Sequence, residues 1–445
     1  MAPMSTQPAP PPTPLCVRTV RIEEPVDLLR HLPAEPSGAW LHRGEGLVGV
    51  GVAARITARE PDRFSQAARR FSDLAASARV EDDVQGRGTG LIALGSFGYA
   101  AASARESVLV VPQALLGVVD GEAFLTLAST DGAPRVPASW RDLFAGTPVD
   151  VPGSIELEPA HTPDEYQGLV ATAIARIRAG EAGKVVLSET TDAALDSPLV
   201  PGVVLRRLAE RFPSTWVYAV DDVIGASPEM LAQTEHGRVF SRVLAGTRPV
   251  DEHGALPDDE RLAFRTDAKE LAEHAFAVES VTSRLDGLAT GITTSPEPFV
   301  LRLPGLEHLA SDISGDLRAG VTSLDVAGAL HPSAAVCGTP REAADRMITE
   351  LEGRDRGGYA APVGWLDASG DGQWAIALRM VHRIDPRTVR LQAGGGLVAA
   401  SDPVTEHAEV LAKMRPMVGA LRGGGPPLEE HASEGRGSGD AAPEG

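Results

Sequence analysis

The sequence predicts an α+β protein, because strand-like and helix-like segments are grouped along the chain rather than strictly alternating. Short apolar runs bounded by Gly, Pro and Asp recur through the first 150 residues, which is typical of strands. Helical periodicity becomes stronger after residue 160, and apolar runs that resemble buried strands lie between the helical segments.

The elements can be predicted from local signals. Strands are expected over residues 46–52, 90–98, 107–111, 216–220, 374–382 and 389–393. A capping box with proline at the first helical position, Thr162-Pro163-Asp164-Glu165, predicts a helix that Gly180 ends. Thr339-Pro340-Arg341-Glu342 predicts a second helix start of the same kind, and long helical patterns cover 266–285 and 401–421.

Composition limits the kinds of partner. The chain has 445 residues, with 41 Lys+Arg against 61 Asp+Glu and a net charge of −20. This balance argues against a nucleic acid or an anionic membrane as the main partner, so an anionic substrate would need local cations. Two cysteines, Cys16 and Cys337, exclude a disulfide scaffold. Without a signal-peptide pattern or a spanning apolar run, we expect a cytoplasmic protein, and the polar tails suggest a monomer.

The expected organisation is one domain between two tails. Residues 1–15 are rich in proline and predict a disordered segment. Residues 422–445 are rich in Gly, Pro and acids, with few large apolar residues, and predict a second tail. The domain would therefore cover residues 16–421.

Lysine is rare in this chain, which directs attention to Lys184, Lys269 and Lys413. Lys184 opens the apolar run Val185-Val186-Leu187, where desolvation would lower the pKa of the amine toward that of a useful base. The alternative is a lysine at a strand end whose ammonium reaches solvent.

Glu229 lies between Pro228 and Met230-Leu231, in a turn that leads into an apolar run. A carboxyl group in such surroundings would have a raised pKa and could act as a general acid. An exposed turn glutamate is the alternative.

Two predicted helices each carry a Glu-x-x-Glu pair, Glu270 with Glu273 and Glu406 with Glu409. The spacing places both carboxylates of a pair on one helix face. If the two faces met, the four carboxylates would repel unless a divalent cation lay between them, and all-oxygen ligands favour Mg²⁺. Lys413 could offset part of the charge, and two solvated helix faces remain the alternative.

Two further features could bind an anion. The amides of Gly394-Gly395-Gly396 could approach an anion closely, although a tight turn explains the glycines equally well. Arg379 lies inside a predicted apolar strand and needs a partner, either a substrate carboxylate or an internal carboxylate.

These segments, in this order, resemble the chorismate-utilising enzymes, which include isochorismate, salicylate, anthranilate and aminodeoxychorismate synthases. The resemblance covers residues 160–420 and extends more loosely to the first 150. The segments that carry it are Lys184-Val185-Val186-Leu187-Ser188, residues 225–231, Leu244-Ala245-Gly246-Thr247, Lys269-Glu270-Leu271-Ala272-Glu273-His274, residues 331–340, and Pro362-Val363-Gly364-Trp365 with Arg379, Gly394 and Lys413.

The resemblance implies a single α+β domain with large antiparallel sheets packed against flanking helices.

Lys184 implies water rather than ammonia as the nucleophile, and Ala245 stands where aminodeoxychorismate synthases carry a lysine. Pro362-Val363-Gly364-Trp365 resembles isochorismate synthases more than salicylate synthases. The implied activity is that of an isomerase, isochorismate synthase, which adds water at C2 of chorismate with loss of the C4 hydroxyl. Salicylate synthase and a degenerate chorismate-binding relative are the alternatives, and the product could serve menaquinone or siderophore synthesis.

The resemblance also implies roles for particular residues. Lys184 would be the base and Glu229 the acid. Glu273 and Glu409 would bind Mg²⁺ directly, with Glu270 and Glu406 supporting it through water. The implied substrate-binding residues are Gly246, Thr247 and His308 around the ring, Tyr359, Arg379, Gly395 and Gly396 at the pyruvyl carboxylate, and Lys413 beside them.

One departure from the family pattern is Glu189, which stands where an arginine usually follows the Lys-Val-Val-Leu-Ser segment. The sequence places this acid close to Lys184, where it would hold the amine protonated and slow turnover.

Overall fold

The computed structural model describes residues 14–59, 61–144, 146, 153–250, 257–303 and 306–423. The two tails predicted from composition lie almost entirely outside these ranges. Leu15, which the prediction assigned to the first tail, is buried.

The strands of the first half are β1 (Cys16–Ile22), β2 (Gly38–His42), β3 (Glu45–Val50), β4 (Ala54–Ala58), β5 (Arg79–Asp82), β6 (Ile92–Ser96), β7 (Ser107–Val111), β8 (Ala114–Val119), β9 (Glu122–Ser129), β10 (Ile155–Pro159), β11 (Lys184–Leu195) and β12 (Trp216–Val220). Those of the second half are β13 (Val223–Ser227), β14 (Met230–Glu235), β15 (Arg238–Pro249), β16 (Ala289–Thr294), β17 (Phe299–Leu303), β18 (Leu306–Leu317), β19 (Gly338–Thr339), β20 (Pro362–Asp367), β21 (Gly372–Ile376), β22 (Met380–Asp385) and β23 (Thr388–Leu397). The α-helices are α1 (Arg63–Ser77), α2 (Pro163–Arg178), α3 (Pro201–Arg211), α4 (Asp258–Thr266), α5 (Ala268–Leu285), α6 (Ser323–Leu330), α7 (Arg341–Glu352) and α8 (Pro403–Arg422).

The strands form two large sheets. The first has the order β10-β11-β23-β22-β13-β12-β2-β3-β8-β9-β1-β5, with β19 added beside β11. The second has the order β16-β18-β15-β14-β21-β20-β6-β7-β4, with β17 beside β18. Pairing is antiparallel in the described strands apart from β1 with β5, which is parallel. The predicted α+β class with large antiparallel sheets is confirmed.

Two apolar layers hold the sheets in place. One lies between the sheets and under α1 and α6, and includes Tyr218 and Trp374, both almost fully buried. The other lies between the first sheet and helices α2, α3, α7 and α8, and includes Tyr166 and Leu205. Burial of side chains of this size stabilises the fold by about 1.5–3 kcal/mol each, so the two sheets and their helices form one unit.

Most local predictions agree with the structure. The capping box at Thr162 is present, with the Thr162 side chain accepting from the Glu165 amide and the Glu165 carboxylate accepting from the Thr162 amide. The second predicted helix start is confirmed by α7, but the cap predicted at Thr339 is wrong, because Thr339 pairs with Lys184 as part of β19 and Pro340 becomes the N-cap. The helix predicted over 266–285 is confirmed as α5, which begins at Ala268 after a break at Asp267 that separates it from α4.

The predicted strand over residues 374–382 is also wrong. It is two strands in different sheets, since β21 belongs to the second sheet and β22 to the first. The chain makes the reverse passage between β13 and β14. These two crossings lie side by side, because Ala226 donates its amide to the carbonyl of Arg379 and Ile376 donates to the carbonyl of Glu229.

No helix in the described residues is long and apolar enough to cross a membrane.

Candidate active site

Lys184 is the first residue of β11, as the sequence predicted, and its side chain is half-buried against β23. A Cβ built on Gly396 would lie 2.8 Å from the lysine Cε and 3.6 Å from its Nζ. Real Cβ atoms do not approach a carbon this closely, so the lysine occupies space that any side chain at position 396 would need.

The other two glycines of the triple also make room for site residues. A Cβ on Gly395 would lie 3.2 Å from Oε2 of Glu406, and one on Gly394 would lie 2.9 Å from the hydroxyl of Tyr359. All three glycines lie inside β23 and pair with Val186, Leu187 and Ser188 of β11. The tight-turn alternative is therefore wrong, and glycine is needed here for close approach.

Glu229 lies in the crossing between β13 and β14. Its side chain keeps some solvent exposure, but the surrounding protein desolvates the carboxyl group. This burial raises the pKa of Glu229 to about 7, and the nearby Lys184 charge opposes the rise only in part. A carboxyl group of this pKa exists near neutral pH in both protonation states, as a general acid requires.

Arg379 occupies the opposite crossing, with a left-handed backbone φ of 48°. Burial lowers the pKa of its guanidinium, while Tyr359 and Glu409 act in the other direction. Within the described residues Arg379 makes no ion pair, so the internal-carboxylate alternative has no support there. A cation held this way is suited to a carboxylate from outside the protein.

Tyr359 is buried beside Arg379, with its hydroxyl close to Gly394. Burial raises the pKa of Tyr359 to about 12, and the charges of Arg356 and Arg379 reduce the rise. The phenol is thus a neutral hydrogen-bond donor at physiological pH.

A β-bulge between β15 and β18 places further residues near Lys184. The register shifts between Ala245 and Thr247, and Gly246 has a φ of 80°. Burial lowers the pKa of His308, which hydrogen-bonds the backbone of Gly246 and lies within electrostatic range of Lys184. The backbone of Thr247 pairs with His308, but the Thr247 side chain is outside the described part of the structure.

Three of the four predicted metal ligands have described side chains. Oε2 of Glu270 lies 2.9 Å from the Cβ position at Gly246, and Arg248 lies 3.5 Å from its other oxygen. On α8, Glu406 accepts a hydrogen bond of 2.6 Å from Ser401. Glu409 pairs with Lys413 at 2.7 Å, and the same ammonium donates to the Gly394 carbonyl at 3.0 Å.

The chemistry of these donors suits a hard divalent cation. Burial raises the pKa of Glu406, and the neighbouring carboxylate of Glu409 raises it further, so a cation here would relieve a charge conflict. Among the described residues, however, no group of three or more acidic, histidine or cysteine side chains converges as a metal centre. The side chain of Glu273 lies outside the described residues, although its backbone is part of α5.

The expectation that Glu189 lies close to Lys184 is wrong. The two residues are an odd number of positions apart on β11, so their side chains lie on opposite faces of the sheet. Glu189 is buried on the helix-covered face, where both carboxylate oxygens lie 3.2 Å from Nδ1 of His161.

Two further groups support these residues, and no role was predicted for either of them from the sequence. Glu352 and Arg356 form a buried ion pair against β11. His274 is also buried, with Nδ1 3.1 Å from the Ala245 carbonyl and Nε2 2.8 Å from the Ser311 hydroxyl, directly behind the bulge at Gly246. Both lie in segments that local patterns describe as ordinary charged or helical sequence.

The two-sheet fold and the residues around Lys184 are consistent with one enzyme family. The family profile of the chorismate binding enzymes matches residues 25–422, and the chain belongs to that family.

Among its relatives is isochorismate synthase DhbC of Bacillus subtilis, 34% identical over 278 residues, or 60% of this chain and 69% of the relative. Anthranilate synthase component 1 of Streptomyces coelicolor is 36% identical over 301 residues, 65% of this chain and 58% of the relative. The structure of MenF, the menaquinone-specific isochorismate synthase of Escherichia coli, has the same fold. The comparison of the two structures has a TM-score of 0.72 at 24% sequence identity, and it covers 92% of this chain and 96% of the MenF chain.

Proposed function

We propose that the chain is an isochorismate synthase, which converts chorismate to isochorismate. The observation that carries the proposal is the juxtaposition of Lys184 with Glu229, a carboxyl group whose pKa is raised to about 7. Exchange of a hydroxyl group needs a base for the incoming water and an acid for the departing hydroxide. The similarity to isochorismate synthase DhbC supports the same reaction.

In the proposed mechanism the neutral amine of Lys184 removes a proton from water as the oxygen bonds to C2. The ring double bonds shift and the C4–O bond breaks. Glu229 gives its proton to the leaving oxygen, which departs as water. One water enters and one leaves, so chorismate and its product are isomers. Solvent then resets both groups.

Local cations and donors would bind the substrate despite the net charge of −20. Arg379, the Tyr359 hydroxyl and the amides of Gly395 and Gly396 would bind the pyruvyl carboxylate. Gly246, Thr247 and His308 would line the ring pocket.

The proposed cofactor is Mg²⁺, held directly by Glu273 and Glu409 and through water by Glu270 and Glu406. When bound, it supplies a Lewis acid for the ring carboxylate. Lys413, paired with Glu409, would keep that carboxylate in place.

The relative that makes anthranilate raises the question of the nucleophile. Ammonia attacks as a neutral molecule with its own lone pair, whereas water is a poor nucleophile until it loses a proton. A lysine at position 184 therefore favours water.

The test is incubation of the purified chain with chorismate in ¹⁸O-labelled water, with Mg²⁺ or with a chelator, followed by chromatography and mass spectrometry. We expect isochorismate carrying one labelled oxygen, formed only with Mg²⁺. Salicylate with pyruvate would instead identify a salicylate synthase. Binding of chorismate without any product would identify a non-catalytic relative, and anthranilate formed on addition of ammonium would contradict the assignment of the nucleophile.

A further inference from the structure

We propose that the buried ion pair of Glu352 and Arg356 is a positioning unit for the active site. It holds β11, which begins at Lys184, in register against the segment that carries Tyr359. The proposal rests on the proposed function in one respect, because it takes Lys184 as the base and Tyr359 as a substrate ligand.

The pair completes an edge of β11 that strands leave open. On one side β11 pairs continuously with β23 from Val185 to Ala194. On the other side β10 covers residues 191–195 and β19 covers residues 184 and 185. In the gap, the amide of Ser188 donates to Oε1 of Glu352 at 2.8 Å, and Nη2 of Arg356 donates to the carbonyl of Val186 at 2.7 Å. The two side chains thus satisfy backbone groups that a neighbouring strand would otherwise satisfy.

Two parallel hydrogen bonds join the buried side chains of the pair. Nε of Arg356 donates to Oε2 of Glu352 at 2.9 Å and Nη2 donates to Oε1 at 2.6 Å, a bidentate arrangement. The side chains are 2% and 7% exposed for Arg356 and Glu352. The Ser188 hydroxyl also donates to Glu352 at 2.9 Å and accepts from Gln392 of β23 at 2.9 Å, which extends the network across both strands.

The guanidinium of Arg356 also lies near two tyrosine rings, one of them Tyr359. Arg356 lies 4.6 Å from the ring centre of Tyr99 and 5.8 Å from that of Tyr359. Nη1 donates to the carbonyl of Val336 at 2.8 Å, in the segment that continues into β19 beside Lys184. Arg356 therefore contacts β11, the segment before β19 and two tyrosine rings, whereas the hydrogen bonds of Glu352 are to Arg356 and β11.

A purely stabilising role is the competing explanation. A buried ion pair is weak evidence for stability, because desolvation of both charges offsets their attraction. The backbone bonds distinguish the two roles, since they determine the position of the strand that carries the lysine. A displacement of about 1 Å at a reacting group can lower a rate about 100-fold.

The experiment compares Glu352→Gln and Arg356→Lys in the full-length protein with Mg²⁺ present, at a temperature where circular dichroism shows each variant folded. Glu352→Gln keeps the side-chain shape but opposes an amide NH₂ to Arg356. It should lower kcat about 10-fold and change KM less than about 2-fold. Arg356→Lys loses the fork and the contact with Tyr359, so it should lower kcat and also raise KM about 5-fold.

Arg390→Lys is the matched control. Arg390 of β23 forms a bidentate pair with Asp192 of β11, at 2.7 and 2.9 Å. This pair joins the two strands far from Lys184 along β11. The kcat and KM of Arg390→Lys should stay within about 2-fold of the wild-type values. A lowered Tm of Glu352→Gln with unchanged kcat would overturn the proposal and leave a structural role.

A failure of the proposed function is distinguishable from a failure of this inference. If the wild type does not convert chorismate, the proposed function fails, and hydrogen exchange then decides the positioning role. Glu352→Gln should speed amide exchange in residues 184–190 and leave residues 192–195 unchanged. Unchanged exchange in 184–190 would overturn the inference independently of activity.

Discussion

Glu229 and Arg379 lie on neighbouring loops at which the chain passes between the two sheets. Ile376, three residues before Arg379, donates its amide to the Glu229 carbonyl at 3.0 Å, and the Arg379 carbonyl accepts from Ala226, three residues before Glu229, at 3.1 Å. These two hydrogen bonds hold together the loops that carry a carboxyl group of raised pKa and a guanidinium without an ion-pair partner among the described residues. In the proposed mechanism this arrangement would keep the general acid apart from the group that binds the substrate carboxylate.

The acid role proposed for Glu229 predicts the effect of Glu229→Gln. The amide keeps the shape of the side chain but has no acidic proton to give to the leaving hydroxyl. We expect kcat to fall about 100-fold or more, with chorismate affinity changed only a few-fold. Steady-state kinetics and calorimetric titration with chorismate measure the two quantities, and a kcat close to that of the wild type would remove Glu229 as the acid.

The raised pKa of Glu229 also predicts a pH-dependent stability. Its folded-state pKa of about 7 lies above the ordinary value of 4.5, so its protonated form favours folding. That contribution is complete below the ordinary value and is lost as pH rises through about 7. Glu229→Gln, which is always neutral, should therefore gain Tm relative to the wild type at about pH 8.5 and gain less at about pH 5. Equal Tm differences at both values would contradict the raised pKa.

The contact between Lys184 and Gly396 predicts that a substitution at either position lowers kcat. Lys184→Ala removes the proposed base, and Gly396→Ala places a methyl group 2.8 Å from the lysine Cε, so both should lower kcat about 100-fold or more. Mg²⁺-dependent binding of chorismate should remain in Lys184→Ala. Gly168→Ala is the control, because a Cβ there meets no atom within 4 Å. It should leave kcat unchanged and stabilise α2 by about 0.5–1 kcal/mol.

The acidic side chains of α8 predict a metal requirement. Glu406→Gln and Glu409→Gln should each raise the Mg²⁺ concentration for half-maximal activity about 10-fold or more, and calorimetry should show weaker Mg²⁺ binding. Glu273→Gln should act in the same way. Glu350→Gln, at an exposed pair with Arg176, is the control with no expected change. A Mg²⁺ response like the wild type in the α8 variants would exclude those carboxylates as ligands.

The position of Glu189 on the helix-covered face predicts that it does not control the base. Glu189→Gln should leave kcat and the pH dependence of kcat/KM within about 2-fold of the wild type, and lower Tm through loss of the His161 contact. An increase in kcat with an altered pH profile would show instead that Glu189 holds Lys184 protonated.

Local signals predicted the elements that local interactions stabilise. The capping box at Thr162 and the beginning of β11 at Lys184 agree with the structure because caps and strand starts depend on neighbouring residues. The break at Arg379 and the strand position of Gly394 to Gly396 could not be predicted in this way. Sheet membership and close approach depend on residues far away in the sequence.

The order of residues alone shows which chemical groups are available: one lysine at the start of a buried strand, a carboxyl group beside apolar residues, and two pairs of acids at helical spacing. The spatial neighbours of these groups depend on how distant segments pack together. The tertiary structure placed Gly396 beside Lys184, put Glu189 on the opposite face, and joined Glu352 and Arg356 against β11. The reason is physical, since side-chain identity sets possible charge and hydrogen bonding, whereas desolvation and distance arise only when separate segments pack together.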